Sequence, residues 1–245
     1  MKPFKIQIAG LITQVQPLYE TTAVYCHNYL SDRAPHYFTS VTEKDLAFEQ
    51  YMLDVEAREE GMKLRKFTAP FLERAAIQRK IAEELLHRDT FFLHGSTVAV
   101  DDFAYLFTAA CGTGKSTQTR LWRDVFGERA IMINDDKPFL QIKPNAVIAH
   151  GSPWSGKHGL DTNIDVPLKG ICILKRGLEN RIRPITAEEA APILHHQSYV
   201  SSNPASQVRV HALAEMVMQR VPLWEMECTK DPQAAIAAYT VMSNI

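Results

Sequence analysis

Thr108–Thr117 reads TAACGTGKST, and the reading of this stretch decides the rest of the chain. Gly112 and Gly114 let consecutive backbone N–H groups converge on one point, where a β-carbon would obstruct the turn or hold an anion away. A helix starting near Lys115 adds unpaired N–H groups and the positive end of its dipole, so a phosphate is favoured before any side chain is counted. Lys115 then reaches β- and γ-oxygens and the Ser116 hydroxyl ligates Mg²⁺, as in G-x-x-x-x-G-K-[ST] loops. Ala109 holds the place of the first glycine, which an extended residue at a strand end tolerates. The loop-forming set is Cys111, Gly112, Thr113, Gly114, Lys115, Ser116 and Thr117. The competing reading is a glycine-rich turn before an ordinary helix.

The flanks supply the context that a phosphate loop requires. FFLHGSTVAV from Phe91, an Asp101-Asp102 turn and FAYLFT read as a hairpin whose second strand feeds the loop. After the loop, Leu121, Trp122, Val125 and Phe126 share one helix face, and Gly127 marks the exit. AIMI (130–133) is a buried strand running into Asn134-Asp135-Asp136. FLQI and AVIAHG around Lys143-Pro144-Asn145 predict a second hairpin, and GICILK (170–175) a core strand. Upstream, 5–15 is strand-like and 37–41 is rich in β-formers. Thr42 with Asp45 opens a helix, and 70–86 carries an apolar stripe at helical spacing with a charged opposite face. Thr186 with Glu189 forms a capping box for a helix through Leu194, and helices follow over 210–220 and 233–242.

The chain has 245 residues, 46% hydrophobic and 22% charged, enough for one large domain with a small appendage. Its 27 Lys+Arg against 28 Asp+Glu exclude the broad basic field of a general nucleic-acid binder. Cys26, Cys111, Cys172 and Cys228 show no metal spacing and read as reduced thiols. No apolar run approaches the roughly 20 residues that span a bilayer, and the N-terminus lacks a secretory pattern. The expectation is a cytoplasmic protein with neither membrane nor nucleic acid as partner.

Asp135 and Asp136 end an apolar strand, Asp135 lying twenty residues past Lys115. One helix and a return strand would bring them beside the loop. One carboxylate can hold Mg²⁺ while the other accepts a proton from an attacking hydroxyl; the alternative is a surface turn. GSPWSGKHG (151–159) reads either as a lid in which Lys157 neutralises charge on a transferred group, or as an exposed turn with a packed Trp154. Asp161, Asn163 and Asp165 alternate without a decisive pattern. Arg176, Arg181 and Arg183 are by default solvated charge.

His94-Gly95, the strand pair ending at Ala109, C-G-T-G-K-S-T, and the apolar strand ending in Asp135-Asp136 together resemble HPr kinase/phosphorylase and its kinase-like relatives, within the phosphoenolpyruvate-carboxykinase-like P-loop group. The resemblance spans roughly Phe91 to Arg176. It implies an α/β fold: a carboxykinase-like P-loop core of mixed β-sheet with flanking helices, plus a small N-terminal α+β subdomain. The division expected is 1–66 for that subdomain, serving substrate recognition, and 67–245 for the nucleotide-binding and catalytic domain. It also implies that His94, ahead of the loop, is catalytic together with Asp135 and Asp136, and that acidic groups hold the metal; the loop and lid readings add Lys157 to the catalytic set and make Ser116 and Asp135 the metal ligands. Without the resemblance, His94 reads as a strand histidine with a hydrogen bond. The sequence departs from the family after Asp136, where GSPWSGKHGLDTNIDVPLKGI replaces a glycine-rich, metal-binding segment; this argues against HPr itself as acceptor.

The function expected is an ATP- (or other nucleoside triphosphate-) and Mg²⁺-dependent kinase whose acceptor is a hydroxyl of a peptide, a protein or a small molecule, with serine foremost. The alternative is a nucleotide-binding regulatory or peptide-modification partner without turnover. A homo-oligomer is compatible with either.

Overall fold

A computed structural model describes residues 1–59, 61–110 and 112–244. The chain divides into two compact units, Met1–Glu84 and Leu85–Ile245. The sequence set the division after Lys66; the observed one falls later because the helix over Ala69–Leu86 gives most of its length to the first unit. Within that unit its Glu73 is fully buried and accepts hydrogen bonds from the Leu18 amide and the Thr22 hydroxyl, while Arg79 pairs with Glu49 at 2.6 Å.

The first unit contains β1 (Phe4–Ile8), β2 (Leu11–Gln16), α1 (Thr21–Tyr25), β3 (Tyr37–Ser40), α2 (Glu43–Glu59) and α3 (Ala69–Leu86). Its three strands form one sheet in the order β1-β2-β3. The stretch 5–15, which reads as a single strand, is a hairpin: Ile8 pairs with Leu11, and Ala9 and Gly10 between them both have positive φ. That is the twist a two-residue hairpin turn requires, and an alanine there leaves no turn signal to read. Thr42 and Asp45 cap α2 reciprocally, Thr42 N–H donating to Asp45 Oδ2 at 2.9 Å.

The second unit continues with β4 (Thr90–Phe92), β5 (Ser96–Val100), β6 (Phe103–Thr108), α4 (Lys115–Phe126), β7 (Ala130–Asn134), β8 (Phe139–Ile142), β9 (Val147–His150), β10 (Asp165–Arg176), β11 (Arg181–Pro184), α5 (Ala187–Gln197), α6 (Pro204–Arg220), β12 (Leu223–Cys228) and α7 (Gln233–Met242). The strands form one mixed sheet in the order β4-β8-β9-β10-β6-β5-β7, with β12 beside β10 and β11 beside β12. The mixed sheet with flanking helices and the small N-terminal sheet are the architecture expected.

FFLHGSTVAV is not one strand. It breaks at Leu93-His94-Gly95 into β4, which pairs with β8, and β5, which pairs with β6 and β7. A β-carbon on Gly95 would stand 3.0 Å from the Phe107 carbonyl oxygen, so the break passes close enough to β6 that a larger residue would push β6 away by a few tenths of an ångström. Asp101 and Asp102, both with positive φ, close the β5–β6 hairpin in two residues. The capping box at Thr186 and Glu189 is present, and α5 runs on to Gln197. Helix α6 starts six residues earlier than its apolar pattern suggests, capped by Asn203 with Pro204 at its first position.

Three features fix the frame of the site. Strand β5 lies antiparallel between β6 and β7, so the carboxyl ends of β6 and β7 and the amino end of β5 share one sheet edge. Strand β10 runs parallel to β6, Ile173 opposite Thr108, and so ends at that edge too. Trp122 of α4 is fully buried, with ring centroids 4.8 Å from Tyr105, 5.3 Å from Phe107 and 5.7 Å from Tyr239. These contacts seat α4 on β6 and α7, with Leu121 and Ala234, Ala235 and Ala238 in the same core.

Gly170, in the middle of β10, lies under the Trp224 ring: a β-carbon there would approach its Cζ3 to 2.2 Å. Gly170→Ala is expected to lower the unfolding free energy by about 1–3 kcal/mol through overpacking. In a Trp224→Leu background the same substitution should cost measurably less. A double-mutant cycle by denaturant titration checks this; equal costs in both backgrounds would place the strain elsewhere.

Candidate phosphate-binding site

The glycine loop connects the last residue of β6 to the first of α4. Gly112 and Gly114 have φ of +71° and +123°, and both need glycine for that reason. Thr113 N–H donates to the Ala110 carbonyl at 3.3 Å, and Gln118 N–H to Gly114 at 2.9 Å as the first helical bond. The N-cap of α4 is Gly114, which has no side chain to cap the helix, and the first amides and dipole of a helix favour an anion. Ala109 is buried, in the place where the common motif has glycine, and its carbonyl accepts from Lys115 Nζ at 3.1 Å. Ser116 and Thr117 are half-buried in the first turn of α4. Cys111 lies outside the described residues.

The acidic pair stands at the same edge, at the end of β7. Asp135 is buried, and its Oδ1 accepts from the Ser96 hydroxyl at 2.6 Å. Ser96 Oγ in turn lies 2.7 Å from Thr119 Oγ1, one turn beyond Lys115 in α4. Ser96 therefore joins the carboxylate to the helix that Lys115 begins. Asp136 is oriented differently: its Oδ1 is 2.9 Å from His94 Nε2, and its carbonyl accepts from Gly95 N–H at 2.9 Å. Burial raises the Asp136 pKa, but the hydrogen bond from His94 and the charges of Lys137, His94 and Lys115 outweigh it and hold the carboxyl below its ordinary value. Asp136 thus lies within the electrostatic reach of the loop lysine, and is ionised at neutral pH. His94 is itself held on both sides: its N–H donates to the Gln197 carbonyl at 2.7 Å, and its carbonyl accepts from Thr108 Oγ1 at 2.8 Å.

Asn134 sets the turn that carries both acids. Its Oδ1 accepts from the amides of Asp136 and Lys137 at 2.8 and 2.6 Å, while its Nδ2 donates to the Ser152 carbonyl at 2.8 Å. The same side chain therefore shapes the acidic turn and ties it to the 151–159 loop. In that loop Trp154 is packed, its ring 6.4 Å from Phe139, and residues 156–159 are exposed. Gly156, with φ of +68°, lies against Asp136: a β-carbon there would stand 3.1 Å from the Asp136 Cβ. Lys157 is exposed, and among the described residues no hydrogen bond or ion pair holds its ammonium.

The structure thus brings together Gly112, Thr113, Gly114, Lys115, Ser116, His94, Asp135 and Asp136, and sets the backbone next to Lys157 on the same acidic turn. Asp161 accepts from Ser155 Oγ and Asp165 pairs with His150, both at 2.6 Å. Arg181 pairs with Glu179, and Arg183 with Glu189 and Glu225. Ser96, Thr119, Asn134 and Gly156 escaped the sequence reading. Each acts through a partner remote in sequence or through a close backbone approach, and none leaves a local pattern.

Among the described residues no group of three or more His, Cys, Asp or Glu could hold a metal ion. A divalent ion at this edge would meet hard oxygen donors, the Ser116 hydroxyl and the Asp135 carboxylate, and would take its remaining ligands from phosphate and water. Mg²⁺ favours that donor set. None of the described helices is long and apolar enough to cross a membrane.

No family model and no curated protein matches the chain. Among solved structures, the HPr(Ser) kinase/phosphatase from Coxiella burnetii is distantly similar, with a TM-score of 0.37 and 11% identity over 62% of this chain and 94% of that one. At that distance the likeness carries no argument about the site, which stands on its own geometry.

Because the His94 bond lowers the Asp136 pKa, His94→Ala is expected to raise it. The stability contributed by Asp136 is present above the unfolded carboxyl pKa and is lost as pH falls through the lower folded value. In the variant the folded value lies nearer the unfolded one, so that contribution should be smaller and its loss complete at a higher pH. Carboxyl-carbon NMR titration of both proteins checks the shift; an unmoved Asp136 would mean that the hydrogen bond contributes nothing to its ionisation.

Proposed function

We propose that the chain is an ATP- and Mg²⁺-dependent phosphotransferase, related to the HPr kinase-like enzymes, that transfers a phosphoryl group to a hydroxyl. Serine in a peptide, in a protein or as the free amino acid is the foremost acceptor. The observation that carries this reading is the chain of contacts from Asp135 through Ser96 to Thr119, which ties one carboxylate of the acidic pair to the amino-terminal part of α4 while its neighbour Asp136 faces His94.

The unlike surroundings suggest a division of labour. Asp135, buried and hydrogen-bonded through one oxygen, is suited with Ser116 to hold Mg²⁺, which when bound would neutralise charge on the phosphate oxygens. Asp136, ionised and oriented by His94, is suited to accept the acceptor's proton. As that proton moves to Asp136, the acceptor oxygen bonds to the γ-phosphorus. The bond from phosphorus to the β–γ bridging oxygen breaks, and ADP leaves with its electron pair. The loop amides and Lys115 stabilise charge on the transferred group, and most of the catalysis is placement. Lys157, on a turn whose backbone touches Asp136, would come over the γ-phosphate only if the 156–159 turn closes.

Lys115→Ala is expected to abolish phosphoryl transfer with the fold retained. Asp136→Asn should lower kcat by about 10²–10⁴-fold while leaving ATP affinity nearly unchanged. Labelled ATP with serine-containing peptides and free serine, read by mass spectrometry beside an ATP-consumption assay, checks both. Tight nucleotide binding without turnover on any hydroxyl would instead favour a nucleotide-responsive partner protein.

A further inference from the structure

Arg176, the last residue of β10, lies three residues beyond Ile173, which pairs with Thr108 at the end of β6. Its side chain therefore starts beside the point where the phosphate loop begins. Arg176 Nη2 donates to the Gly112 carbonyl at 2.6 Å, and a β-carbon on Gly112 would stand 3.8 Å from the same nitrogen. The guanidinium thus rests directly on the loop.

Its charge is not neutralised there. Among the described residues Arg176 has no carboxylate within ion-pair distance, whereas Arg79, Arg129, Arg183 and Arg209 each have one. The neighbouring Lys175, pointing to the other face of the strand, pairs with Glu225 at 2.6 Å. One strand end therefore carries two cations, of which one meets a carboxylate and the other only a neutral carbonyl of the glycine loop. A guanidinium has five N–H donors in a planar fork and matches phosphate oxygens bidentately. The bond to Gly112 uses one of them and holds the fork within reach of whatever anion the loop amides gather.

We propose that Arg176 is a second phosphate-binding cation of this loop, contacting the polyphosphate chain while its bond to the Gly112 carbonyl keeps the fork in position. This rests on the nucleotide-binding reading above. It gives the site a cation from β10, on the β6 side, where Lys115 supplies one from α4. Arg176 is thereby a ligand-binding residue that takes no part in moving the proton.

The test is calorimetric titration of Mg-ATP into the wild type and into Arg176→Ala, Arg176→Lys, Arg176→Gln and Lys115→Ala, with tripolyphosphate as a competing probe. Arg176→Ala should weaken ATP binding about tenfold or more, the scale of a lost charge-assisted hydrogen bond, and should weaken tripolyphosphate by a similar factor. Arg176→Lys should recover part of the loss. Arg176→Gln can still donate to Gly112 without the charge, and should bind as poorly as the alanine variant. If Arg176→Gln binds like the wild type, the residue only braces the loop and the proposal falls. It also falls if ATP weakens while tripolyphosphate does not, since the contact would then be to base or sugar. A wild type that binds ATP and loses it in Lys115→Ala but not in Arg176→Ala overturns this inference alone; a wild type that binds no ATP overturns the reading beneath it as well.

Discussion

The Ser96 hydroxyl stands between Asp135 and Thr119, and on that junction the geometry of the site depends. A polar side chain buried without a hydrogen-bond partner is costly. Ser96 donates to one oxygen of the buried Asp135 and is itself in contact with Thr119, so the carboxyl group keeps a hydrogen-bond partner where water is excluded. The junction also couples three elements: the carboxyl end of β7, the amino end of β5 and the second turn of α4.

Around that junction the sheet supplies the geometry and the aromatic core supplies rigidity. An antiparallel strand between two parallel ones brings both carboxyl ends to one edge, so the loop after β6 and the acids after β7 meet without a long connection. Trp122, enclosed by Tyr105, Phe107, Phe126 and Tyr239, prevents α4 from shifting along β6. A small shift would matter, because a site that works by placement loses its effect over distances of an ångström or so.

The two acids show how adjacent residues acquire different chemistry. Asp135 faces inward to a hydroxyl, while Asp136 faces His94 and the glycine of a neighbouring loop. Asn134 makes this divergence possible by satisfying the amides of the turn with one end of its side chain and the 151–159 loop with the other. The exposed residues 156–159 then border the acid that is oriented toward a histidine, and the buried acid stays with the helix.

By itself the sequence determined the elements whose signals are local. The glycines and lysine of 112–115, the apolar run ending at Asp135, the capping box at Thr186 and Glu189, and the helical face around Trp122 each follow from spacing and backbone preference within one turn or strand. It did not show the hairpin at Ala9-Gly10, because alanine at positive φ carries no turn signature, nor the break at His94-Gly95, whose cause is the approach of β6. Only the tertiary structure decided which acid faces the helix and which the histidine, that Gly156 lies against Asp136, and that Arg176 reaches Gly112. Those facts depend on pairs separated by tens of residues, which meet only when strand order and register are set by the core.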